Sequence, residues 1–208
     1  MPGFNVNNFR SNGLVFAGAR ACNFTVTLVF PSVVDNPALA GQKAQLLVKS
    51  ASLPDSVIGQ VPVPFFGRTI KVAGNRTFDD WDITVMNDED FLLRNAFEAW
   101  HNGINTIISN RLDSDIAGIS PSLGTSYKTT AIVTQFAKTG PGDIDGDGAI
   151  KSYTFSGIFP VSVSPIPLAY DDINTFETFN VRFAYDWYEP TKSAADAPIF
   201  PLELGDDA

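Results

Sequence analysis

The sequence holds one cysteine, Cys22, one histidine, His101, and two methionines among 208 residues. A single cysteine excludes an internal disulfide and fits a reducing compartment, or a chain that never passes through an oxidising one. A zinc site needs several Cys or His side chains, and there is one of each. Basic residues are also scarce: 14 Lys and Arg stand against 23 Asp and Glu, a formal net charge of −9. That argues against a surface that grips nucleic acid, which needs clustered cations to displace counterions. No stretch approaches the roughly 18 to 20 apolar residues that a membrane-spanning helix needs, so no membrane anchor is expected. The start, through Ala21, has no charged segment followed by a sustained apolar run, so no secretion signal is expected either. Charged residues make up only 18% and hydrophobic ones 44%, the reverse of a disordered composition.

What is abundant is phenylalanine, with 17 copies, most at alternating positions. This suits a β-rich domain. Phe24, Val26, Leu28 and Phe30 alternate with Thr25, Thr27 and Val29. Trp81, Ile83 and Val85 alternate with Asp82, Thr84 and Met86. Phe179, Val181, Phe183, Tyr185 and Trp187 form the longest such run. One helix is expected, over about 88–108. Asn87 stops the preceding strand and can cap, Asp88, Glu89 and Asp90 fill the first turn, and Leu93, Phe97, Trp100, Ile104 and Ile107 line one face. Residues 32–43 read as a loop, Gln45–Leu53 as a strand, and Gly74-Asn75 as a hairpin turn. Prolines 54, 62 and 64 punctuate an apolar stretch at about 54–66, which reads as an extended, edge-like arm. The connections are too short for crossover helices, so the sheet is antiparallel. The fold class is mainly β: an antiparallel β-sandwich or partly closed barrel with one flanking α-helix and an extended apolar arm. Residues 1–22 form an N-terminal arm, 23–188 one domain, and 189–208 an acidic C-terminal tail.

Chemistry is sparse. His101 has no nucleophile beside it in any recognisable motif, and there is no phosphate-binding glycine loop. No enzyme is expected. Asp143, Asp145 and Asp147 match the opening of a calcium loop, D-x-D-x-D-G, but Thr154 stands where the bidentate Glu belongs. The stretch is either an acidic hairpin tip or a weak calcium site; no other cofactor is indicated. A calcium-binding β-sandwich module is the corresponding alternative function.

Val72 to Glu89, VAGNRTFDDWDITVMNDE, resembles the major tail tube proteins of contractile-tailed bacteriophages, which show V-A-G-x-R-T-F-x-x-W-x-(I/V)-T-V-M-N-D-E here. The segment from Ala51-Ser52-Leu53-Pro54 to Gly67-Arg68 is similar to the family's ALP…VPFxGR. Tyr153 to Asp186 is similar to its G-(I/L)-(F/W)-P strand and its closing strand. The likeness runs in order from about Asn23 to Tyr188. It departs at 32–43, at DIDGDG and in the tail.

The resemblance implies a structural subunit, with a fold related to type VI secretion tube subunits. Such subunits form six-membered rings that stack into a hollow tube, through which DNA passes when the sheath contracts. A baseplate tube-initiator of the same fold is the close alternative. Implied partners are further copies of the chain, the tail sheath protein, the tube-initiator, and the tape measure protein and DNA, which pass the lumen without tight binding. The implied place is the virion tail, assembled in the host cytoplasm. Leu53, Pro54, Val57, Ile58, Val61 and Val63 are candidates for contact between rings. Phe91, Leu92, Ala99 and Ile108, off the main helical stripe, are candidates for contact within a ring. Asp82, Glu177 and Asp186 are candidate lumen-facing acids. Like charge would keep DNA, with about one charge per 1.7 Å, away from the wall.

Overall fold

A computed structural model describes residues 18–119, 126–138, 149–171 and 173–191. In order come β1 (Phe24–Leu28), α1 (Pro37–Leu47), β2 (Val48–Ala51), β3 (Val57–Phe65), β4 (Arg68–Thr77), β5 (Trp81–Met86) and α2 (Leu92–Ile104). A short 3-10 turn (Ser114–Ile116), β6 (Thr129–Phe136), β7 (Ala149–Val163), β8 (Thr178–Ala184) and β9 (Trp187–Thr191) follow. Seven strands make one sheet in the order β1-β6-β7-β8-β5-β2, with β9 also on β7, while β3 and β4 stand apart as a two-stranded ribbon. The pairs β2/β5, β5/β8, β7/β8 and β3/β4 are antiparallel. The expected antiparallel, mainly-β fold with a flanking helix is present. Among the described residues the sheet stays open between β1 and β2 and does not close into a barrel.

The chain divides into two compact units. One comprises Val26–Val133 and Tyr153–Glu189, and holds the core and the ribbon. The other takes Met1–Thr25, Thr134–Ser152 and Pro190–Ala208. In its described part, Phe136 N donates to Asn23 O (2.9 Å) and the hydroxyls of Thr134 and Ser152 meet at 3.0 Å.

Alternation places the core. Trp81, Ile83 and Val85 of β5 and Phe179, Val181 and Phe183 of β8 are buried, and the residues between them are half-buried or exposed. Trp81 pairs with Phe183 and Val85 with Phe179, so the two apolar rows share one face. Helix α2 lies on that face: Phe97 meets Phe179 and Phe183 at ring separations of 6.1 and 6.0 Å, and Trp100 meets Phe183 and Phe30 at 6.3 and 5.7 Å. Gly103 is buried on the same helix because a Cβ there would stand 2.8 Å from Ile116 Cδ1 and 3.0 Å from Val33 Cγ2. Close packing explains a residue that otherwise costs a helix about 1 kcal/mol.

Several expectations are corrected. The helix runs over Leu92–Ile104, not 88–108. Asn87 does not cap it: Phe91, at φ 54°, is the N-cap residue, and Asp90 Oδ1 accepts from Leu92 N at 3.0 Å. Asp88 and Asp90 instead form a turn clasped by Lys43, which donates to Asp88 at 2.8 Å and to Asp90. Ile107 lies beyond the helix and is exposed. A second helix, α1, fills much of the stretch read as loop and takes the start of the stretch read as strand. Pro37 is tolerated in its first turn, where the missing N–H has no partner to lose. Only Ala40 and Ala44 are buried on it, so no apolar stripe announces the helix.

The hairpin turn is Phe66-Gly67, with φ of 42° and 78°, not Gly74-Asn75, which lies inside β4. There the register slips: Ile58 faces Arg76 and Gln60 faces Ala73, leaving two residues of β4 opposite Gly59, a bulge. A phenylalanine in the left-handed region is uncommon, which is why the true turn carries no sequence signal. The last apolar run is not one strand either: β8 ends at Ala184 and β9 begins at Trp187.

Candidate assembly surfaces

The ribbon is the most unusual surface. Nearly every residue from 57 to 77 is exposed, including Val57, Ile58, Val61, Val63, Phe65, Ile70 and Val72, with Phe66 at 92%. An isolated two-stranded hairpin is at best marginally stable in water, so an apolar one calls for a partner. Its root is held firmly. Trp81 Nε1 donates to Ser52 O at 2.8 Å, and the Tyr185 hydroxyl donates to Asp55 O at 3.4 Å. Burial is the first cause that pushes the Tyr185 phenol up to about 12, so it stays a donor. Where β4 returns to the same root, Phe78 packs on Tyr185 and Tyr188 at 5.7 and 5.5 Å. Leu53 is exposed and Pro54 half-buried at this root.

The helix candidates do not form one patch. Leu92 and Ala99, both half-buried, line a notch of about 240 Å³ with Asn36, Asp90 and Asn95; Phe91 is exposed next to Leu92. Ile108 is off the helix altogether and 100% exposed. Sequence reasoning missed another exposed apolar group, Leu168, Tyr170, Ile173 and Phe176, between β7 and β8. Pro165 and Pro167 mark that stretch as non-strand, and large apolar residues beside them were the available signal.

Around β2, β5 and β8 the outer face of the main sheet is largely polar. A shallow trough of about 520 Å³ is lined there by Ser50, Ser52, Thr84, Ser162, Ser164, Asn180, Asp82 and Arg182, together with Ala51 and Ile83. Asp82 Oδ1 accepts from Arg182 Nε at 3.0 Å, across the register of β5 and β8. Glu177 accepts from Asn87 Nδ2 at 2.8 Å. Asp186 binds Lys128 Nζ through both oxygens, at 2.6 and 2.8 Å. All three candidate acids therefore have donor partners, and two of those partners are cations. Asp143, Asp145 and Asp147 lie outside the described residues. Among the described residues no cluster of His, Cys, Asp or Glu could hold a metal ion, and no helix is long and apolar enough to cross a membrane.

His101 is half-buried. Its Nε2 is buried with no hydrogen-bond partner among the described residues, and the ring bonds the backbone of Pro160. Desolvation lowers its pKa below 6.5, outweighing the bond to Pro160. The unfolded chain then binds the proton more readily than the folded one, so stability falls as pH drops from about 6.5 through the depressed folded value. His101→Gln is expected to flatten this part of the profile. Urea midpoints measured between neutral pH and about pH 5 check it; an unchanged slope would count against it.

Residues 19–191 match the family described as phage tail tube protein. The chain belongs to that family. Tail tube protein gp19 of Enterobacteria phage T4 is 36% identical over 149 residues, covering 72% of this chain and 83% of that one. The tail tube protein of Serratia phage KSP90 is 26% identical over 185 residues, covering 86% and 93%. The fold is also that of a chain in the cryo-EM structure of an extracellular contractile injection system, the PVC sheath/tube terminator in its extended state. The TM-score is 0.54 at 12% identity, over 84% of this chain and 97% of the other. As a tail tube protein, the chain is a structural component of the virion tail, and its exposed ribbon and polar sheet face are surfaces of a building block.

Proposed function

We propose that this tail tube protein assembles as six-membered rings that stack into the hollow conduit for DNA, with the β3–β4 ribbon bridging stacked rings. The observation that carries the reading is the ribbon itself: an apolar hairpin, pinned at its root and exposed along its length. A buried place in an assembly removes the cost of that exposure, at roughly 25 cal/mol per Å² of apolar area covered. Phe91, Leu92, Ala99 and Ile108 serve contacts within a ring, and the sheath and baseplate bind the finished tube. Assembly takes place in the host cytoplasm.

The polar face of β2, β5, β8 and β7 suits the channel wall. Its side chains are mostly small and neutral, and the charge of Asp82 is offset by Arg182. Such a wall offers phosphates few places to stick, and the overall −9 per subunit repels them. Negative-stain microscopy of the concentrated, purified chain, alone and on a baseplate template, is expected to show rings and tubes. Persistent monomers under both conditions would overturn the reading.

A further inference from the structure

The register of the ribbon divides its residues between two unlike faces. Val61 lies opposite Val72, Val63 opposite Ile70, and Phe65 opposite Arg68. Cross-strand partners and residues two apart share a face. One face therefore carries Val57, Val61, Val63, Phe65, Ile70 and Val72, with Arg68 at its tip. The other carries Ile58 opposite Arg76, Gln60 opposite Ala73, Pro62 opposite Lys71 and Pro64 opposite Thr69. The first face is a continuous apolar strip, while the second mixes prolines with cations.

Charge separates the ribbon from the rest of the chain as well. Residues 57–77 include three of the 14 basic residues, Arg68, Lys71 and Arg76, and none of the 23 acidic ones. A second copy of this chain, acidic on balance outside the ribbon with 11 basic against 23 acidic residues, is the complementary partner for such an element.

The mode of docking is also constrained. Phe65 and Arg68 flank the two-residue turn, so they form a hydrogen-bonded pair, and such pairs alternate along an antiparallel ladder. Pro62 and Pro64 fall at the non-bonded positions, where the proline nitrogen faces away from β4. They cost the ribbon no internal bond, but they deny the outer edge of β3 the donors that an added strand would need. Attachment by strand addition on β3 is closed off, and on β4 the bulge at Gly74-Asn75 interrupts the outer edge, so the continuous surface the ribbon offers is its apolar face.

We infer that the ribbon seats on a second copy of the chain through its Val57–Val61–Val63–Phe65 and Ile70–Val72 face alone, while Lys71 and Arg76 on the opposite face steer it electrostatically toward the acidic partner. This rests on the tube reading and assigns Ile58, a neighbour of Val57 in sequence, to the side that is not seated. Apolar contact supplies the hold, and exposed charge alters mainly the rate of encounter and its salt dependence.

The test uses the full chain, with sedimentation and negative-stain microscopy for assembly and circular dichroism melts of the monomer as a folding control. Val61→Asp and Val72→Asp, cross-strand neighbours on the apolar face, each raise the protein concentration needed for assembly by roughly tenfold or more, since each would bury an unpaired carboxylate. Ile58→Asp raises it less than about threefold, the effect of a change left in water. Lys71→Glu with Arg76→Glu slows assembly by roughly tenfold at low salt, a difference that shrinks as salt rises. Equal damage from Ile58→Asp and Val61→Asp in a wild-type background that assembles would overturn the face assignment while leaving the tube reading intact. So would normal assembly by both Val61→Asp and Val72→Asp with normal melts. An unchanged rate in the charge-reversed variant would overturn the steering role. Failure of the wild-type chain itself to assemble would overturn the tube reading, and this inference with it.

Discussion

Trp100→Ala is expected to lower the free energy of unfolding by about 4 kcal/mol, in the middle of the range for deleting a buried tryptophan. Three losses combine. The indole is fully buried, so its removal leaves a cavity under α2. Its ring contacts with Phe30 and Phe183 disappear. Its Nε1 donates to Tyr127 O at 2.9 Å, and alanine leaves that carbonyl without its partner. A domain typically has about 5–15 kcal/mol to lose, so the variant would be marginal. Trp100→Phe separates the contributions: it keeps most of the volume and loses the hydrogen bond, at a cost of about 1–3 kcal/mol. Urea unfolding followed by circular dichroism measures both. A loss under about 1 kcal/mol for the alanine variant would show that α2 is not the lid its contacts describe.

Gly157→Ala is the second large effect, expected at about 3 kcal/mol. Gly157 sits at φ 70°, where a Cβ costs about 1–2 kcal/mol. That Cβ would also lie 2.0 Å from Asp186 Oδ2 and 2.7 Å from its Cγ. The backbone of Asp186 cannot easily retreat, because its N–H donates to Ser156 O at 3.0 Å. The carboxylate must swing aside and release Lys128, whose side chain is only 12% exposed and which also lies over the Phe159 ring. A double-mutant cycle isolates this term. In an Asp186→Ala background, Gly157→Ala should cost the backbone penalty, about 1–2 kcal/mol, and only a tight contact with the remaining Cβ at 3.2 Å. Equal costs in both backgrounds would rule out the clash as the cause.

The elements legible in the sequence share one property: their burial pattern is periodic and carried by large side chains. Trp81, Ile83 and Val85 alternate because β5 has one face under a helix and one in water. Phe97 and Trp100 recur because α2 rests its wide stripe on that same sheet. Helix α1 escaped notice because it buries two alanines, which leave no stripe to read. The hairpin turn escaped because Phe66, not Asn or Asp, holds its first left-handed position. The ribbon was legible as an apolar, proline-broken arm, but its faces were not: which residues share a side depends on the register, and the register depends on where the turn falls.

The candidate acids show the same limit. Asp82 and Arg182 are 100 positions apart and meet because β5 and β8 are neighbours. Asp186 and Lys128 are 58 apart. No local pattern reports such pairings, since a charge on an exposed strand face looks the same with or without a partner.

By itself the sequence determined the β-rich class, the core rows of β5 and β8, the family through its long Val72–Glu89 match, and the presence of apolar surface that a lone subunit would not keep. These follow from local chemistry, alternation and composition, which each segment carries with it. The tertiary structure decided the second helix, the place of the turn, the partners of the three candidate acids, and the division of the ribbon into an apolar and a basic face. Each of those depends on which distant strand or helix lies alongside, and that is settled only when the whole chain buries its large side chains together.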